Sequence, residues 1–177
     1  APYVLNDGHT LYDGQGNPLA GDKIKVAFRS NCACYVYIVG IDATGFAVPI
    51  YPDPEARHSN PIQAGESYLL PEGTYWYGLD DYRGVEKIYF MASYSPRPDI
   101  ENIIFRLAKH ERGDMKGYLP VRKAAVIPES RGLVKLQTGE PMQVQTESGD
   151  SYQVTPTSFL SAVNSTDMVI TRWFYHE

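Results

Sequence analysis

Nowhere in its 177 residues does the sequence approach the ~18 consecutive apolar residues of a membrane-spanning helix, and the run Tyr75-Trp76-Tyr77-Gly78-Leu79 is far too short. Positive charge is also scarce. The 16 Lys and Arg stand against 21 Asp and Glu, a net charge of −5 and the wrong sign for general attraction to phosphate backbones, so no nucleic-acid partner is expected. Cysteine is limited to Cys32 and Cys34. In a strand, residues i and i+2 share a face with Cα atoms about 6.5–7 Å apart, at or beyond disulfide reach, so two buried thiols are expected. The four histidines, His9, His58, His110 and His176, show neither helical i, i+4 spacing nor a Cys/His array, and solvated or structural roles in loops and at the terminus are expected. A Gly-rich phosphate loop and a strand-turn-helix Ser elbow are both missing, so common nucleotide and hydrolase templates fail. No catalytic residue, cofactor or metal ligand is assigned.

What is present suits one folded domain spanning residues 1–177. With 43% hydrophobic and 21% charged residues, the chain can bury a core without metals or disulfides. It opens at Ala1 without a basic-then-apolar leader, which fits either a processed secreted protein or a shortened chain. Fourteen tyrosines, with 15 Gly and 13 Pro, point to strands separated by tight turns. Residues 23–29 alternate strictly, with Ile24, Val26 and Phe28 on one face. Residues 34–41 are apolar on both faces, as in a central strand, and Asp42-Ala43-Thr44-Gly45 turns them into a second strand that Pro49 places at an edge or a bulge. Further strands are predicted at 67–70, 75–79 and 85–94. After Pro96 and Pro98 the period changes: Ile100, Ile103, Ile104, Leu107 and Ala108 predict a helix over 99–112, with Asp99 as its cap and Gly113 as its stop. Beyond it come a strand at 133–137, a hairpin around Ser148-Gly149-Asp150, one helical turn at 159–162 and a closing strand at 168–175. The fold class is mainly β: an antiparallel β-sandwich-like domain with one clear helix and an additional C-terminal β segment.

Several short pieces occur in a telling order: Gly21-Asp22-Lys23-Ile24-Lys25-Val26, Tyr35-Val36-Tyr37-Ile38, Ile41-Asp42 with Gly45, Ile50-Tyr51-Pro52, Asn60-Pro61-Ile62, Leu70-Pro71, and Gly84-Val85-Glu86 before Ile88-Tyr89-Phe90-Met91-Ala92-Ser93. Together they resemble a bacterial domain of unknown function, number 4384, over about residues 21–93. The resemblance implies a compact β core at about 21–95, with the helix and C-terminal β extension at 96–177. It also implies attachment to envelope lipoproteins, caspase-like peptidase chains or kinase chains, and hence a periplasmic, envelope or secreted location. It carries over no catalytic residue. Cys32-Ala33-Cys34 and the tail after Ser95 depart from its pattern.

Two surfaces are candidates for binding. The loop from 53 to 60, with Asp53, Glu55, Arg57, His58 and Asn60, has no periodicity, and loops on a rigid β scaffold often carry recognition. Tyr75, Tyr77 and Tyr82 could stack on a sugar or dock a peptide, against the alternative of ordinary cross-strand packing. Asp80, Asp81 and Glu86 could supply oxygen to calcium, but they lack the alternating-ligand loop and read as a solvated turn. The expected function is a noncatalytic binding or interaction module with a protein or peptide partner. The alternative is a carbohydrate-binding or glycan-processing protein using the aromatics. A third reading is assembly by strand addition at Pro49's strand or at 168–175; the oligomeric state stays open.

Overall fold

The computed structural model describes residues 1–17, 19–53, 59–109, 133–161 and 167–177. In chain order its elements are β1 (Thr10–Leu11), β2 (Lys23–Ile24), β3 (Val26–Arg29), β4 (Tyr35–Ile41), β5 (Ala47–Tyr51), β6 (Ser67–Leu70), β7 (Tyr77–Gly78) and β8 (Gly84–Ser93). They continue with α1 (Pro98–Leu107), β9 (Leu133–Thr138), β10 (Met142–Gln145), β11 (Ser151–Val154), β12 (Thr157–Ser161) and β13 (Asp167–His176). The main sheet has the order β1-β13-β8-β4-β5, and the pairs β3–β6, β2–β7, β10–β11 and β9–β12 complete the mainly β, sandwich-like architecture.

The backbone of the sheet is the antiparallel ladder between β8 and β13, in register from Gly84↔His176 to Ser93↔Asp167. The C-terminal segment therefore completes the main sheet. β13 is not an open edge along its whole length, because residues 8–13 cover it from Trp173 onward: Gly8 N–H donates to the Trp173 carbonyl, and Tyr175 N–H to that of His9. β1 runs parallel to β13 there. β5 is an edge strand, and the register shifts between Ile38 and Val39 opposite Pro49, which has no N–H to donate.

The core lies between β4–β5 and β3–β6, where Val36, Ile38, Ile50 and Tyr51 meet Val26, Tyr68 and Leu70. Phe28 stacks on Tyr68 at 5.0 Å and meets Tyr51 edge-on at 5.0 Å, geometries that aromatic quadrupoles favour. Burial pushes the Tyr51 phenol up to about 12. Where β5 stops, the ladder on β4 is continued by a side chain. Asn60 donates from Nδ2 to the Val36 carbonyl at 2.8 Å and accepts from Val36 N–H at 2.9 Å, and Ile62 then bridges to Cys34.

Three local expectations are corrected. The strand predicted over 23–29 breaks at Lys25 because Lys23–Ile24 pairs with β7 and Val26–Arg29 with β6, and Lys25 Nζ donates to the carbonyls of Pro71 and Gly73 between those partners. Residues 159–161 form part of β12 instead of a helical turn: a four-residue helix has almost no bonds to offset nucleation, whereas β9 offers a ready ladder. The helix begins at Pro98 with Arg97 as its N-cap, and Asp99 sits in the first turn, ion-paired to Arg97 at 2.7 Å instead of capping. It ends at Leu107 with Ala108 as its C-cap, short of the expected 112, and residues 110–112 and the stop at Gly113 lie outside the described residues. Its start is tied to the sheet because Tyr37, buried in β4, accepts from Arg97 N–H and donates to Glu101.

Candidate functional site

The first feature is an apolar cleft of about 960 Å³. Along β8 and β13 the even-numbered residues point to one side of the main sheet, and Ile88, Phe90, Ile170 and Phe174 reach the cleft from there. Phe28 and Met142 line it from β3 and β10. β8 is flanked by strands on both sides, yet Ile88 to Ala92 are all only half-buried, so an interior strand of the sheet keeps apolar surface uncovered.

The second feature lies at the end of the same ladder and is polar. His176 continues the inward series Ile170, Phe174 and is 1% exposed. Its Nδ1 lies 3.5 Å from Glu86 Oε1 and its Nε2 lies 3.7 Å from Asp13 Oδ2. Neither ring nitrogen makes a hydrogen bond, and Glu86 Oε1 makes none either. Gly84 makes room beside them. Its φ is +140°, and a Cβ there would stand 2.6 Å from the Ala43 Cβ, so glycine lets the β4–β5 turn approach. That turn is built on Asp42, whose Oδ1 accepts from Thr44 N–H, Thr44 Oγ1 and Phe46 N–H. Asp80 accepts from Tyr82 N–H on a neighbouring turn.

The electrostatics are lopsided. Burial, reinforced by the nearby charges of Asp42 and Asp80 and opposed by His176, pushes Glu86 up to about 7. Asp13 is held below the usual carboxylate range by Arg83, which donates to it from Nε at 2.9 Å and Nη2 at 3.1 Å, and by Gln15 N–H. Among the described residues, Asp80, Glu86 and His176 each present one ligand atom within 4.8 Å of the others.

The family model described as Domain of unknown function (DUF4384) matches residues 19–96. That stretch is a DUF4384-like domain. It contains β2 through β8, while β1, α1 and β9–β13 lie outside the match. No curated protein and no solved structure matches the chain. The polar cluster therefore joins Asp42, Asp80, Arg83 and Glu86 of the DUF4384-like domain to Asp13 before it and His176 after it.

The residues singled out from sequence fall in several places. Glu55, Arg57 and His58 lie outside the described residues, as does His110. Asp53 is exposed, and its charge, after burial, raises the Tyr77 phenol, so these two are brought together. Asn60 is engaged by the backbone of β4. Tyr77 is half-buried in β7, Tyr75 is 75% exposed on the preceding turn, and Tyr82 is exposed. Trp76 is held elsewhere, donating to the Gln145 carbonyl with Lys25 Nζ 5.6 Å from its ring. Cys32 and Cys34 are free thiols, the first half-buried and the second buried, and burial pushes the Cys34 thiol up. Two expectations are corrected. His176 is not a solvated terminal residue but one of the most buried side chains, and Glu86 belongs to no solvated turn, its side chain being 16% exposed. His176 had one usable signal, the even-number parity of β13 that carries Ile170 and Phe174 inward and extends to 176; Asp13 and Asp42 had none.

Proposed function

We propose that the chain is a noncatalytic binding module of a bacterial envelope or secreted protein, taking an apolar segment of a protein or peptide partner into the cleft between its sheets. The observation that carries this reading is the cleft itself. Its volume is at the upper end of the range of ~300–1,000 Å³ that holds ligands, and its floor is aliphatic and aromatic. Arg29 and Arg172 stand in its polar lining ion-paired to Glu140 and Asp7, which line it too, so the rim balances its own charge and the apolar floor is the part offered to a partner. Among the described residues the carboxyl pushed toward neutrality, Glu86, is not part of that lining, so the feature most suggestive of acid-base chemistry lies outside the proposed binding surface.

The test is a peptide array probed with the purified chain and with Ala92→Phe, which places a ring in the cleft from β8. Binders containing apolar residues, weakened tenfold or more by Ala92→Phe while its circular dichroism is unchanged, support the reading. An array without binders, or binders indifferent to that substitution, overturns it. A glycan-binding reading draws on the exposure of Tyr75 and Tyr82 alone, and a glycan array compared with Tyr75→Ala decides it.

A further inference from the structure

We propose that Asp80, Glu86 and His176 bind a divalent first-row transition ion, with Zn2+ as the expected occupant, at a site distinct from the cleft. A buried imidazole with no hydrogen bond at either nitrogen is costly unless something outside the chain engages it, and His176 stands in that state. Its Nδ1 faces Glu86 Oε1 at 3.5 Å. Two ligands each ~2.0–2.1 Å from one ion in a tetrahedral arrangement are about 3.3 Å apart, so this pair already has the spacing that a shared Zn2+ requires. Asp80 lies on an exposed turn within 4.8 Å of both and closes a third position, leaving a fourth to water.

Two further details match a metal site in preference to a chance cluster. With Nδ1 donating its lone pair to the ion, the ring proton sits on Nε2, facing Asp13 Oδ2 at 3.7 Å. An outer carboxylate that accepts this proton fixes the tautomer and orientation of a ligating histidine, a bond that Asp13, itself held by Arg83 and Gln15, would make by closing from 3.7 Å as the ion binds. The nearby charge is also unbalanced: Asp13, Asp80 and Glu86 lie near one imidazole, Asp42 adds its charge beside Glu86, and the guanidinium of Arg83 is engaged with Asp13. An imidazole in the set selects zinc or its neighbours over calcium and magnesium, which take oxygen.

The experiment is a titration of the full chain, first stripped with a chelator, with Zn2+ in competition against a chromogenic chelator. One equivalent of Zn2+ per chain is expected, undisturbed by excess Ca2+. Asp80→Asn and His176→Gln should each weaken binding at least tenfold, and Asp13→Asn about tenfold. Because His176 is buried, Asp80→Asn at the surface is the variant that tests the site with the fold intact. Replacing Zn2+ by Co2+ separates this site from the thiols, since a carboxylate-imidazole set gives ligand-field bands without thiolate charge transfer. No binding by the folded chain overturns the proposal, as does binding that ignores Asp80→Asn and disappears in a Cys32→Ser, Cys34→Ser double variant.

Discussion

Asn60 and His176 are two polar side chains set into opposite ends of the same sheet, and they differ in what their polar atoms meet. The Asn60 amide donates to and accepts from Val36, completing a ladder that β5 leaves unfinished. The ring of His176 is more deeply buried, yet both nitrogens stop 3.5 Å or more from the nearest carboxylate oxygens. Burial by itself thus says little about role. A polar group whose bonds are closed within the chain belongs to the architecture, and one whose bonds are open within it is a place where something else can act.

The comparison can be broken at its structural support first. Gly84→Ala forces a side chain into a left-handed backbone position and against Ala43, so unfolding in urea should show a loss of about 2–5 kcal/mol. A loss under about 0.5 kcal/mol would mean that the turn carrying Asp42 is not pinned by that glycine. Asn60→Ala leaves the Val36 N–H and carbonyl without their partner, and a destabilisation of about 1–3 kcal/mol is expected from the same measurement. The smallest effect is expected at the other end. His176→Met removes a buried ring that makes no hydrogen bond in the chain and only long contacts to Glu86 and Asp13, and in chelator-treated protein the stability should stay within about 1 kcal/mol of the parent. A loss at His176 larger than at Asn60 would invert the comparison and make the imidazole an architectural residue.

Much of the fold was legible because it is written in short periods. β4 is apolar on both faces and does lie inside the sheet, the Asp42–Gly45 turn joins β4 to β5, and the 3.6-residue period of 100–107 marks α1. Its apolar stripe buries Ile104 and leaves Ile103 and Phe105 exposed. The misreadings are cases where a distant partner decides. The unbroken alternation is interrupted at Lys25 because β7 and β6 each pair with one half of it, and 159–161 becomes strand because β9 is there to pair. The polar cluster was the hardest to see. Asp13 and His176 stand at the two ends of the chain, and no local pattern announces a contact between them.

The parallel pairing of β1 with the end of β13 has a mechanical consequence. A force that draws the segment before β1 away from the residue after β13 acts in opposite directions along two strands lying side by side. The bonds Gly8–Trp173, His9–Tyr175, Leu11–Glu177 and Asp13–Glu177 then resist together in shear instead of opening one after another. Tension applied across the whole fold meets its first resistance at the strands that hold Asp13 against His176.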